Sequence, residues 1–301
     1  MKLFYSDLYP LPPDPEHRFP VRKYALLRET VAATDLGVPQ EWVVAESATD
    51  EQIRLAHDAD YLERVKAGRL TTRELRRLGL PWSPALVERA RQTTGGTVGA
   101  CRAALRDGVA VNLAGGYHHA FRDHGQGYCV FNDIVIAARV MQTEGRVRRV
   151  LVLDCDVHQG NGTAALTADD PTIFTFSLHN AQNFPLRKEA SDLDIGLGDG
   201  TGDAAYLEAL TAGVGTALER ARADLAIYLA GADPYEDDLL GRFAVSQAGL
   251  AERDRLVFAA CRASGLPVAV TMAGGYARRV EDVVAIHVQT IRLAAEQVRK
   301  V

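Results

Sequence analysis

The tripeptide Asp156-Val157-His158 places a carboxylate and an imidazole two residues apart. In extended backbone, side chains at i and i+2 project to the same side, so the two can share one ion. Asp233, at the end of Gly231-Ala232-Asp233, can supply a third oxygen. Three protein ligands of N/O type with an open fourth position describe a catalytic zinc site, and Fe2+ or Co2+ would accept the same set. Alone, an Asp-x-His triplet reads as an ordinary strand-end turn; its companions change that reading. His118-His119 follow Gly115-Gly116, and glycines let backbone approach a reacting centre closely. Metal-assisted hydrolysis needs a base for the attacking water and an acid for the leaving amine, and adjacent imidazoles can serve both roles near neutral pH. Tyr276 follows Gly274-Gly275. Such a turn usually just packs its ring, but beside a metal its phenol becomes a candidate donor to a tetrahedral oxyanion.

These residues must be delivered to one place by the elements around them. β-branched runs predict strands over 109–113, 150–154, 172–178, 225–230 and 268–272. Apolar spacings of three and four predict helices over 132–144, 204–222, 246–264 and 279–299. This alternation belongs to an α/β fold with a mostly parallel sheet covered by helices. Each strand runs into a polar or glycine-rich cluster at its C-terminal end, where open α/β sheets place their sites, so the clusters should converge. The first hundred residues show a Pro-rich stretch at 10–20, a helix at 49–67 and a basic helix at 70–78. They are expected to wrap one side of the sheet, within one continuous domain over 1–301.

With 301 residues, 47% hydrophobic and 24% charged, the chain can bury a large core. A net charge of -5 and the lack of a Lys/Arg block argue against direct nucleic-acid binding. No run of ~18 apolar residues and no signal-peptide pattern occur, so a cytoplasmic protein with no membrane partner is expected. Cys101, Cys129, Cys155 and Cys261 form no CxxC pair and read as packed thiols rather than as disulfides or zinc thiolates. Oligomeric state is not legible.

Taken together, GGYHHAFRDHGQGYCVFND (115–133), VLVLDCDVHQGNGT (150–163), FSLH (176–179), GADPYEDD (231–238) and MAGGY (272–276) resemble the histone deacetylase superfamily. The match in order and spacing covers 100–280, with weaker echoes in HDADYLERV (57–65) and HRFP (17–20). The HQGNG run and the segment from SLHNAQNFP to GDGTGD are similar to the class IV and bacterial acetoin-utilisation-like branch. The resemblance implies the arginase/deacetylase fold, with about eight parallel strands and helices on both faces. It implies zinc on Asp156, His158 and Asp233, catalysis by His118, His119 and Tyr276, and orientation of the two imidazoles by Asp154 and Asn161. The acyl-lysine tunnel would run between Gly127-Tyr128 and Phe184, with Gly274, Gly275 and Leu240 also along it. A structural potassium ion would take Asp154, the Ser177 hydroxyl and the carbonyls of Asp156, His158 and Leu178. Ser177 by itself would equally well bond its own backbone. Where members with two aspartate-backed histidines have Asp, this chain has Asn161, which orients a ring but adds no charge, so His119 should be harder to protonate.

The expected activity is zinc-dependent hydrolysis of an acyl-lysine or related small acylated amine. One histidine deprotonates water and the other, His119 in the simplest assignment, protonates the amine; the sequence leaves the division open. An arginase-like ureohydrolase would need further carboxylates for a second metal, and this chain has Gln159-Gly160 after His158 and Pro234-Tyr235 after Asp233. A non-catalytic acyl-amide binding protein would be expected to lack one of these groups. In polyamine-selective relatives a glutamate stands seven positions beyond the metal-binding aspartate; the same count from Asp233 reaches Leu240. Glu236, Asp237 and Asp238 are close by but read as a solvated run, so a neutral-tailed amide is expected to be preferred to acetylspermidine or acetylputrescine.

Overall fold

The computed structural model describes residues 1–7 and 19–298. Most of the Pro-rich stretch, including His17 and Arg18 of the HRFP echo, lies outside the described residues. In chain order the elements are β1 (Lys2–Tyr5), α1 (Arg22–Ala32), β2 (Glu41–Val44), α2 (Asp50–Arg54), α3 (Ala59–Lys66), α4 (Thr72–Leu78), α5 (Pro84–Asp107), β3 (Val109–Asn112), α6 (Asp133–Thr143), β4 (Val150–Asp154), α7 (Asn161–Thr167), β5 (Ile173–Asn180), β6 (Leu193–Leu197), α8 (Asp203–Ala221), β7 (Leu225–Leu229), α9 (Gln247–Ala263), β8 (Val268–Thr271) and α10 (Val280–Ala295). The strands form one sheet, ordered β2-β1-β3-β8-β7-β4-β5-β6, and every pairing is parallel. All five expected strands and four expected helices are present, within a few residues of the predicted ends.

Alternate residues of the central strands enter opposite cores, as the pleat requires. Leu151 and Leu153 of β4 face a cluster built with α1, α8, α9 and α10, whereas Val150 and Val152 face one built with α2, α3, α5 and α6. Both faces are therefore buried, which is why the central strands are continuous hydrophobic runs.

The first hundred residues do not wrap one side. β1 and β2 extend the sheet beyond β3, α1 lies on one face, and α2, α3 and α5 lie on the other. The long helix α5 escapes a propensity reading because Thr93-Thr94-Gly95-Gly96-Thr97-Val98-Gly99 forms its centre. Packing explains the glycines. A Cβ on Gly95 would lie 1.7 Å from the Glu46 carbonyl oxygen, and one on Gly99 would lie 2.5 Å from the Phe4 ring. The helix at 49–67 is two helices, because the chain between them turns to bond the 121–122 loop: His57 Nδ1 lies 2.8 Å from the Phe121 carbonyl and Asp58 N–H donates to Arg122. All four cysteines are buried and unpaired, as expected. No helix among the described residues is long and apolar enough to cross a membrane.

Candidate active site

β3, β8, β7 and β4 are consecutive neighbours at the centre of the sheet. Adjacent strands lie ~4.8 Å apart, so the segments leaving their C-terminal ends sit side by side. These carry His118 and His119, Tyr276, Asp233, and Asp154 to His158 respectively. The expected convergence is what the topology produces.

One ligand atom from each of Asp156, His158 and Asp233 lies within 4.8 Å of the others. His158 Nδ1 is 3.0 Å from Asp156 Oδ1 and 3.2 Å from Asp233 Oδ2. All three side chains are buried. Asp233 Oδ1 accepts the Val157 N–H, whereas its buried Oδ2 makes no hydrogen bond of good geometry among the described residues and has the His158 ring nitrogen, 3.2 Å away, as its ionic neighbour. Burying carboxylate charge is costly unless a cation meets it. Burial, with the charge of Asp156, pushes the Asp233 carboxyl up to about 7. Burial opposes the His158 imidazolium, yet Asp156 and Asp233 overcome it and hold that ring up at about 10. The cluster thus attracts positive charge, and its N/O donor set fits a divalent ion. It is the one group of three or more potential ligands among the described residues, which leaves a two-metal centre without its second set. Gly274 makes the close packing possible: its N–H donates to Asp156 Oδ2 at 2.8 Å, and a Cβ there would fall 1.9 Å from Asp233 Oδ2.

The rings of His118 and His119 are 4.0 Å apart. His118 Nδ1 bonds Asp154 Oδ2 and His119 Nδ1 bonds Asn161 Oδ1, both at 2.7 Å. The Asn161 amide group donates to Gln126 Oε1 at 3.0 Å, which turns its oxygen toward His119. Nδ1 of His119 is then the protonated nitrogen, and Nε2 keeps its lone pair. Burial disfavours charge on His118, but Asp154 and Asp156 outweigh it and hold this ring up at about 9. Burial and the neighbouring His118 and His158 push His119 well below the ordinary histidine range.

Tyr276 lies with its ring 6.5 Å from that of His158. Burial, with Asp156 and Asp233, pushes its phenol well above the ordinary range, so it remains a hydrogen-bond donor. A pocket of about 320 Å³ opens onto His119, His158 and Tyr276, a volume suited to a small ligand or side chain. Gly127, Tyr128, Phe184 and Leu240 line it. A Cβ on Gly127 would come 2.8 Å from His119 and 3.1 Å from Phe184. Gly274 instead borders a smaller cavity, and Gly275 lines neither; Gly275 precedes Tyr276 at φ +146°, a conformation that favours glycine.

For the monovalent-cation set, Asp154 and Ser177 face each other across β4 and β5, with Leu178 next in chain and Asp156 and His158 beyond β4. Ser177 Oγ bonds His179 Nδ1 at 3.0 Å, rather than its own backbone.

Several positioning residues carried no sequence signal that singled them out. Asp133, fully buried, accepts the N–H groups of Gly116 (3.1 Å) and Tyr117 (2.7 Å) and so sets the loop before the histidines. Lys23, also buried, donates to the carbonyls of Ala273 (3.1 Å) and Gly275 (3.5 Å) beneath the tyrosine turn. Arg253 bonds the Gly231 carbonyl at the turn that leads to Asp233. Asp238, read as part of a solvated run, accepts the Tyr276 N–H at 2.6 Å and those of Leu240 and Gly241. Asp237 pairs with Arg278, and Glu236 is exposed.

The chain is similar to several known proteins. A protein of Picosynechococcus sp. described as uncharacterized is 42% identical over 283 residues, covering 94% of each chain. The acetoin utilization protein AcuC of Bacillus subtilis is 30% identical across 75% of this chain and 64% of its own. A crystal structure of an HDAC homolog complexed with SAHA shares the fold at TM-score 0.81, with 22% identity over 97% of this chain and 83% of that one. The family profile described as the histone deacetylase domain matches residues 17–291, and the chain belongs to that family of hydrolytic enzymes.

Proposed function

We propose that the protein is a zinc-dependent deacylase that hydrolyses the amide of an acyl-lysine or a related small acylated amine, within the class IV and acetoin-utilisation-like branch. The observation that carries this reading is the buried Asp156–His158–Asp233 cluster opening, beside His119 and Tyr276, into one pocket. Zinc held by these three side chains would polarise the acyl carbonyl and lower the pKa of a water toward ~7; Fe2+ or Co2+ would serve similarly. His119 Nε2, with its lone pair free, takes the proton from the attacking water and returns it to the departing amine. His118, backed by the Asp154 carboxylate, supports positive charge beside the developing oxyanion. The Tyr276 hydroxyl donates to that oxyanion. Gly127, Tyr128 and Phe184 hold the acyl-amine chain in line. The solved HDAC homolog of this fold is complexed with SAHA, which supports a pocket that accepts a slender chain.

Potassium on Asp154, Ser177 and the carbonyls of Asp156, His158 and Leu178 would brace the floor beneath these groups. The four unpaired cysteines suit a reducing, cytoplasmic setting.

The test is turnover of an acetyl-lysine peptide by the full chain, with loss on chelation and recovery on adding zinc. Two metals per site would favour the ureohydrolase reading. Tight binding of the peptide without turnover would favour a binding protein.

A further inference from the structure

The outer part of the pocket is carried by the end of α4. Arg76, Arg77, Leu78 and Gly79 are four consecutive lining residues, and among the described residues no aspartate or glutamate lines the cavity. This turn is fixed in place. Thr71 and Glu74 form a capping box at the start of α4, and the N–H groups of Gly127 and Tyr128 donate to the carbonyls of Arg77 (3.2 Å) and Leu78 (2.7 Å). The arginines are therefore tied to the same wall that holds the substrate chain.

Neighbouring acids are engaged elsewhere. Glu74 is taken by Arg64 and the Thr71 cap and Asp237 by Arg278, while Asp123 bonds His124 and feels Arg77 only at longer range. Among the described residues neither Arg76 nor Arg77 has a carboxylate partner in ion-pair range. Two arginines, whose guanidinium forks suit bidentate capture of a carboxylate, thus line a pocket whose remaining outer lining is neutral among the described residues.

We infer that Arg76 and Arg77 read a negative charge on the amine half of the substrate, so that acyl-lysines with a free α-carboxylate or acidic flanking residues are preferred. This rests on the deacylase reading. A lysine chain passing Gly127 and Phe184 brings its α-carbon to the outer end of the pocket, where the two arginines are. The same field repels the distal ammonium of an acylated diamine.

The test compares kcat/KM of the full chain for Nα,Nε-diacetyl-lysine as the free acid and as the α-carboxamide, for N-acetylputrescine, and for capped acetyl-lysine peptides flanked by Asp or by Lys. The free acid or the Asp-flanked peptide is expected to lead its neutral or cationic counterpart by on the order of tenfold at low ionic strength, and by less as salt is added. A lead for the free acid alone identifies an amino acid as the source of the charge, and a lead for the Asp-flanked peptide alone identifies an acidic protein segment. Arg76→Gln and Arg77→Gln should bring the ratio toward unity, and the Arg76→Glu/Arg77→Glu pair should reverse it. Because the readout is a ratio within each variant, a general loss of activity does not imitate the effect. Arg73→Gln, on the same helix but away from the pocket, should leave the ratio alone. Equal rates for charged and uncharged substrates, or an Arg73→Gln effect as large as that of Arg76→Gln, would overturn the inference. If none of the amides is hydrolysed, the deacylase reading falls, and calorimetric affinities for the same compounds still decide the role of the arginines.

Discussion

Asn161 Oδ1 lies 2.7 Å from His119 Nδ1, the same separation at which Asp154 Oδ2 meets His118 Nδ1. Two adjacent imidazoles therefore have matching geometry and unlike charge behind them. Asn161→Asp would place a carboxylate at the same position, and a negative partner favours the protonated ring, so the His119 pKa should rise. The limb of the pH profile of kcat/KM that requires neutral His119 should then move to higher pH, by about a unit or more. An unmoved limb, or one displaced to lower pH, would exclude His119 as the base.

Asp156→Ala, His158→Ala and Asp233→Ala should each lower bound zinc and turnover together, because only three side chains form the cluster. Elemental analysis beside an activity assay checks this. Full metal stoichiometry and wild-type rates in all three variants would remove the metal site from the assignment.

Tyr276→Phe should keep fold and zinc and lose on the order of 10²-fold in kcat, as expected for deletion of one oxyanion donor. Its backbone N–H still reaches Asp238, so the turn should survive. A wild-type rate on an unactivated amide would leave the hydroxyl without this role.

The glycines of two helices should respond oppositely to alanine. Gly95→Ala drives a methyl into the Glu46 carbonyl and should destabilise by about 1–3 kcal/mol or more, despite the better helix propensity of alanine. Gly215→Ala in α8 meets nothing within 4 Å and should stabilise by about 0.5–1 kcal/mol. Urea unfolding midpoints decide, and a gain at Gly95 would mean that α5 does not pack as closely as described.

The chemistry was legible in the sequence because it is local. Asp156 and His158 stand two apart on a chain leaving β4, and glycines precede the histidines and Tyr276; each pattern follows from backbone geometry over a few residues. The central strands were legible because burial on both faces makes them unbroken apolar runs. β1 and β2 escaped the reading although β3 and β8 are equally short: they lie toward one edge of the sheet and are only partly buried, so they lack the fully buried apolar pattern of the central strands, and α5 contradicts its own propensities at Gly95, Gly96 and Gly99.

Which loops would be neighbours, and what lies beneath them, only the tertiary structure decided. Asp133 and Lys23 do their positioning through backbone groups 16 to 252 residues away, and a donor or acceptor that far along the chain leaves no periodicity or spacing to read. Asp238 looked solvated because charge in a loop usually is, yet three amide groups bind it. Arg76 and Arg77 were legible only as part of a basic helix at 70–78. They became part of the pocket because the Gly127-Tyr128 segment hydrogen-bonds to the end of that helix, a pairing that no local preference of either segment specifies.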